Sequence, residues 1–258
     1  MPAPPANVFN DVATLYDEVR PGYPPAIVEA TIAGAGLPPG GRILEIGCGT
    51  GQITLPFARH GYTILALEPG DALAALAARR CRAYPNIAIL QQSFEAWPAR
   101  EKAYDLVLSA QAFHWIAPDF GCDKAATVLK PGGAIALVWN LDVSQGTPFW
   151  RATQAIYDAH FRGTPGEPIS LSLDERARAC GEAIRRCGAF GNLQEVSHAW
   201  GQTYRGADYL KLLRTYSDHC MLPEPRKTQF FRAIEDVVGR FGVVHRRYET
   251  LLLLARRK

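Results

Sequence analysis

An apolar strand that runs straight into a glycine loop constrains this chain more than any other feature. Arg42-Ile-Leu-Glu-Ile46 is followed by Gly47-Cys-Gly-Thr-Gly51, and an acid, Glu68, ends the next apolar run seventeen residues after the last glycine. Glycines at such a turn allow positive φ and let the backbone approach a ligand closely. Dinucleotide folds space these glycines G-x-G-x-x-G, which seats a pyrophosphate on the following helix. Here the spacing is G-x-G-x-G, and a carboxylate, Glu45, sits near the end of the strand. A negative charge there repels a pyrophosphate and favours a ligand with a cationic end. Glu68, with Pro69 behind it, stands where an acid accepts both hydroxyls of an unphosphorylated ribose. An adenosine with a positively charged amino-acid tail meets all of these demands.

The surrounding pattern alternates strand and helix. Short apolar runs at 42–46, 63–67, 87–91, 104–109 and 133–139 read as strands buried on both faces. Helical stretches separate them, such as Asp71–Arg79, which opens on a capping residue after Pro69-Gly70. This order specifies an α/β fold, a doubly wound, mostly parallel sheet with helices on both faces. Ahead of it, Val8 to Val19 reads as a helix stopped by Pro21, and Pro24-Pro25 start a second that ends near Gly34. After Asn140 come helices near 147–161 and 173–188, then strands from Leu193 to Tyr204 and Val243 to Leu254 around a helical insertion.

The segment 42–140 resembles the class I S-adenosylmethionine-dependent methyltransferases. Tyr104-Asp-Leu-Val-Leu-Ser109 is similar to the family's fourth strand, and Leu129-Lys-Pro-Gly-Gly133 to the turn before its fifth. The resemblance implies a seven-stranded Rossmann-like sheet closed by a hairpin whose last strand is antiparallel. Residues 1–258 then form a single domain, with a cofactor core over about 41–140 and a small helical cap from 1–36 and about 205–240. Tyr16-Asp-Glu-Val-Arg-Pro-Gly-Tyr-Pro24 resembles the R-P-x-Y-P segment of the trans-aconitate-methyltransferase-like branch.

On this footing Glu68 and Pro69 hold the ribose, Gly47, Gly49 and Gly51 admit the methionine end, and Glu45 orders the loop or meets the ammonium through water. Gln91-Gln-Ser-Phe-Glu95 corresponds to the adenine edge, read by Ser93 or by the Phe94 backbone amide alone, with an ordinary turn around a buried aromatic as an equal reading; many members carry aspartate where this chain has Ser93. Ser109 and Gln111, at the exit of the fourth strand, offer carbonyls to the ammonium. Tyr16 and Arg20 fold over the cofactor, Arg20 towards a carboxylate, although a solvated arginine before a proline turn is an equal reading.

Methyl transfer from a sulfonium needs alignment, exclusion of water and, for a protonated nucleophile, a base. A carboxylate needs none at neutral pH. The candidate catalytic pair is His114-Trp115, just past the fourth strand. Three roles are open to His114: general base, donor to an anionic substrate, or a satisfied wall residue. The His-Trp pair resembles a position in carboxyl methyltransferases where an indole tethers a carboxylate, which implies a small carboxylic acid acceptor. A phenol or amine acceptor, and a non-catalytic binding protein, are the alternatives. Trp200, Arg214, Tyr216 and Ser217 are further candidates from the cap.

Composition sets the remaining bounds. A net charge of +3 in 258 residues argues for neither nucleic acid nor membrane as partner. The basic end, Ala255-Arg-Arg-Lys258, reads as a solvated strand terminus. Six cysteines show no metal-ligand spacing, no start signal for secretion is apparent, and no apolar run reaches the ~20 residues that span a bilayer. These features predict a cytoplasmic protein with free thiols and no metal, acting as a monomer or homodimer.

Overall fold

The computed structural model describes residues 9–161 and 172–258. The chain runs α1 (Ala13–Val19), α2 (Pro25–Ala35), β1 (Arg42–Ile46), α3 (Thr54–Arg59), β2 (Thr63–Leu67), α4 (Asp71–Cys81), β3 (Ile87–Leu90) and β4 (Tyr104–Ala110). It continues with α5 (Pro118–Val128), β5 (Leu129–Asp142), α6 (Pro148–Phe161), α7 (Leu173–Cys187) and β6 (Gln194–Arg205). The last elements are α8 (Gly206–Arg214), α9 (Ser217–Cys220), α10 (Arg226–Phe241) and β7 (Val243–Arg256). One seven-stranded sheet has the order β3-β2-β1-β4-β5-β7-β6.

Strands β1 to β5 pair in parallel, and β7 runs antiparallel between β5 and β6. The sheet is doubly wound because successive strand residues face opposite cores. Leu44, Val107, Ile135, Leu137 and Leu253 pack with α5 and α7. Ile43, Leu106, Leu108, Ala134, Ala136 and Leu254 pack with α2 and α3 on the other face. Full burial on both faces explains why β1, β4 and β5 read as continuous apolar runs, whereas β3, read the same way, is an edge strand with one face open to solvent. A third cluster, with Val19, Tyr209, Leu212, Phe230, Ile234 and Val244, binds α8 and α10 to α1 and α6 as a helical cap.

Three sequence readings are adjusted. The stretch Leu129 to Gly133 belongs to β5 and is not a turn ahead of it; the register with β4 jumps from Tyr104–Leu129 to Leu106–Ala134, so the Pro-Gly-Gly residues bulge. The basic terminus is pinned and not simply solvated, since Arg256 and Arg257 donate to the carbonyls of Gly132 and Leu129, and Lys258 to that of Gly188. The first helix begins with a short 3-10 turn at Asn10–Val12, and Val8 lies outside the described residues.

Sheet order also places the site. Chain direction away from the centre reverses between β1 and β4, and ligands in doubly wound sheets bind at such a switch point, beyond the carboxyl ends of the strands.

Candidate active site

At the end of β1 the loop turns back sharply: the amides of Gly47 and Cys48 both donate to the Leu67 carbonyl, at 2.9 and 3.1 Å. Gly47 has φ +68°, and a Cβ there would lie 2.3 Å from the Cβ of Ala112. No side chain fits. Glu68, at the end of β2, accepts the Gly49 amide on Oε2 and the Gly70 amide on Oε1, each at 2.9 Å. Its carboxylate is buried, and its pKa is raised by burial despite those two donors.

Glu45 is 1 % exposed, and neither of its oxygens has a hydrogen-bond partner. Burial pushes its carboxyl up to about 8; the adjacent Thr54 hydroxyl offsets a little of this, and the Glu68 charge adds to it. Gln111, leaving β4 at φ +59°, is a second anomaly. That conformation is strained for a side-chain-bearing residue. Its Nε2 donates to the Asn140 carbonyl at 3.2 Å, while its Oε1 is buried without a partner. Glu45 and Gln111 line one small cleft with Tyr16, Gly47, Gly49 and Asn140. Unpartnered buried acceptors are costly, so the cleft suits a ligand that brings cationic N–H donors. S-adenosylmethionine fits: its ammonium matches this cleft, and its ribose matches Glu68.

The cleft opens into a cavity of about 1650 Å³. Phe9, Tyr16, Arg20, Gly47, Gly49, Glu68, Pro69, Ser93, Phe94, Gln111, His114 and Trp115 all reach its wall, together with Tyr216 and Ser217 of the cap. Gly51 and Ser109 do not. Gly51 shapes the turn behind the loop at φ +89°, and the Ser109 hydroxyl is spent on the Ile46 carbonyl at 2.9 Å inside the sheet. Trp200 stacks on Tyr248 and donates to Thr250, and Arg214 lies over Phe231, so both point away from the cavity. Arg20 is held: its guanidinium donates to Thr215 through Nε and Nη2 and stacks between Tyr16 and Tyr216. It therefore ties α1 to the cap over the cofactor cleft.

Phe94 is 2 % exposed and its loop is fastened from outside. Lys124 of α5 donates from one ammonium to the carbonyls of Phe94, Glu95 and Trp97, at 2.6, 3.0 and 2.6 Å.

His114 is the most perturbed histidine. The buried Trp139 indole donates to its Nδ1 at 3.2 Å. Burial, with a smaller push from the Arg176 charge, lowers its pKa to about 3. The ring is neutral, Nδ1 is an acceptor, and Nε2 carries the proton. The one basic nitrogen is thus occupied and weakened, which favours the donor and wall roles of His114 over that of a base. Trp115 lies against His114 with ring centroids 4.9 Å apart and carries the Arg176 guanidinium at 5.2 Å.

Several residues at the site gave no local signal. Asn140 donates to the Gly22 carbonyl and accepts from Thr250, which joins β5, β7 and the segment after α1. Arg246 of β7 is 9 % exposed, paired with Asp142 at 2.8 Å and donating to Tyr209. Tyr157 and His219 face the same cavity from α6 and α9. Their signal lies only in tertiary proximity.

A mostly parallel sheet with a glycine loop, two acids on adjacent strands and a cleft of unpartnered acceptors defines a nucleoside-binding α/β fold. Comparisons with known proteins specify it. A family model described as a methyltransferase domain matches residues 43–133. A methyltransferase-like protein of Schizosaccharomyces pombe, itself uncharacterised, is 34 % identical over 228 residues, 88 % of this chain and 84 % of that one. An uncharacterised methyltransferase of Mycobacterium tuberculosis is 34 % identical over 133 residues, so that match spans about half the length of each chain. The chain belongs to the S-adenosylmethionine-dependent methyltransferase family. Among solved structures, the YcgJ protein of Bacillus subtilis has a TM-score of 0.57 at 15 % identity, covering 90 % of this chain and 98 % of that one. A phosphoethanolamine N-methyltransferase of Haemonchus contortus, solved with S-adenosylhomocysteine, has a TM-score of 0.58 at 11 % identity, covering 96 % and 57 %. These last two share the fold.

Proposed function

We propose that this protein transfers a methyl group from S-adenosylmethionine to a small molecule, and that the acceptor is a carboxylic acid methylated on oxygen. The cofactor supplies an activated methyl and its own neutral leaving group. The protein then has to orient the acceptor and keep water out. One observation carries the acceptor class: the Trp139 indole occupies Nδ1 of His114 while burial keeps the ring neutral, so His114 offers the cavity a hydrogen-bond donor. Such a residue serves a nucleophile that is already ionised. Trp115 offers its indole N–H beside it, and Arg176 adds positive charge. The Tyr16–Pro24 segment and the His-Trp pair support a place in the trans-aconitate-methyltransferase-like branch. Free thiols and the lack of a membrane-crossing helix among the described residues support a cytoplasmic setting.

The reading is tested by a methylation screen of carboxylic acids, phenols and amines with labelled cofactor. The expected product is an ester that releases label in mild alkali. Label that survives alkali, or transfer to amines alone, refutes the carboxylate assignment.

A further inference from the structure

Two hydrogen-bond chains of opposite sense end on the cavity wall. The first comes from β5: Trp139 Nε1–H donates to His114 Nδ1, which leaves Nε2–H as a donor. The second comes from the cap. Asp218 accepts on Oδ1 from Nδ1 of His219 at 2.7 Å and from the His219 amide at 2.9 Å. An ionised carboxylate only accepts, so Nδ1 of His219 carries a proton given to Asp218, and this contact points Nε2 at Tyr157. The Tyr157 hydroxyl lies 3.2 Å from Nε2, and to an acceptor Nε2 it donates its proton. Its oxygen keeps free lone pairs, since among the described residues His219 is its only hydrogen-bond partner.

His219 cannot turn to undo this. It is 3 % exposed and packed by Phe161, Phe230 and Tyr216, with ring centroids at 4.8, 5.1 and 5.4 Å. A flipped ring would bury polar nitrogens unpaired, which is costly. Tyr157 therefore presents an acceptor to the cavity, whereas His114 presents a donor. The wall shared by these two ends carries Phe149, Trp150, Phe161, Tyr209 and Leu222, which suits an apolar body.

We infer that the methyl acceptor is bifunctional: an apolar-bodied carboxylic acid with a second polar group, an O–H or N–H donor, received by the Tyr157 oxygen. Asp218 and His219 act as positioning residues that set the direction of the Tyr157 hydroxyl. This inference rests on the carboxylate reading for one end of the molecule and stands on the cap geometry for the other.

The test uses phenylalkanoic acids of graded chain length, each with and without a para-hydroxyl. Values of kcat/KM are measured with labelled cofactor, and binding of the same pairs to protein saturated with S-adenosylhomocysteine is measured by calorimetry. For the chain length that spans the cavity, the hydroxylated member should be preferred about tenfold or more, the worth of one buried hydrogen bond. In Tyr157→Phe that ratio should collapse to about one, and Asp218→Ala should lower it. General damage to the cap would reduce both members of a pair alike and leave the ratio intact. A ratio near one in the wild type, an unchanged ratio in Tyr157→Phe, or binding of no member overturns the inference. An alkali-labile product with no preference refutes the second contact and leaves the carboxylate reading standing. An alkali-stable product with a Tyr157-dependent preference does the reverse.

Discussion

Glu68 Oε2 accepts the Gly49 amide at 2.9 Å, so the acid that ends β2 also builds the glycine loop that ends β1. One side chain thus shapes the turn and lines the cavity where the proposed ribose site lies. Glu68→Ala should weaken S-adenosylmethionine binding about ten- to a hundredfold, the loss of charged hydrogen bonds at roughly 1.5–3 kcal/mol. It should also lower the melting temperature without ligand, because the Gly49 and Gly70 amides lose their acceptor. Calorimetry and thermal melts check both, and NAD should not bind.

Glu45 should make cofactor binding a proton-linked event. Its folded pKa of about 8 lies above the reference value of 4.5. Between those values the native state holds more protons than the unfolded state, so stability falls as pH rises through that window. A ligand ammonium in the cleft would restore the charged form, and binding near neutral pH should release a proton. Calorimetric titration in buffers of different ionisation enthalpy reads this release directly. Glu45→Gln should abolish it, weaken binding, and raise the unliganded melting temperature at about pH 8, with the gain shrinking towards about pH 5.

The Trp139–His114 pair governs the acceptor end. Trp139→Phe removes the donor that holds Nδ1, leaving the proton free to sit on either nitrogen. That variant should raise KM for the acceptor several-fold with little change in cofactor affinity. Trp115→Phe should do the same through loss of the indole N–H. His114→Ala should reduce kcat/KM for a carboxylate without a new pH dependence between about pH 6 and pH 8, since His114 with a pKa of about 3 is neutral throughout. A bell-shaped profile lost in His114→Ala would restore the base role.

Lys124 sits outside the cavity yet fastens the loop that carries Ser93 and Phe94. Lys124→Met keeps the side-chain length and leaves three carbonyls without their donor. The expected result is a KM for S-adenosylmethionine raised by about tenfold, at roughly 1.4 kcal/mol per tenfold, while the acceptor KM holds. Steady-state kinetics with each substrate varied in turn distinguishes this from a general loss of stability.

Cofactor features were legible because they are local. Gly47, Gly49, Glu45 and Glu68 lie at the ends of two adjacent strands, where a short motif encodes both the turn and its charges. Gly51 and Ser109 show the limit of that legibility. Both belong to the motifs, yet neither lines the cavity: Gly51 faces the back of the turn, and Ser109 lies within β4 with its hydroxyl on the Ile46 carbonyl. The residue that shapes His114 is more distant: Trp139 reads in sequence only as an apolar strand residue. Arg20 could be read locally as a ligand contact or as a solvated side chain, but Thr215, nearly two hundred residues away, takes two of its donors and holds it at the cavity wall.

By itself, then, the sequence determined the alternation of strands and helices, the glycine loop and the two acids, hence the sheet and its cofactor. Periodicity and turn chemistry act within a few residues, and those interactions are written in order along the chain. The tertiary structure decided which nitrogen of His114 carries its proton, that Glu45 is stranded without a partner, and that Asp218, His219 and Tyr157 form one chain. Each of these depends on burial and on neighbours from separate elements. Burial sets the cost of an unpaired polar group, and no local pattern reports it.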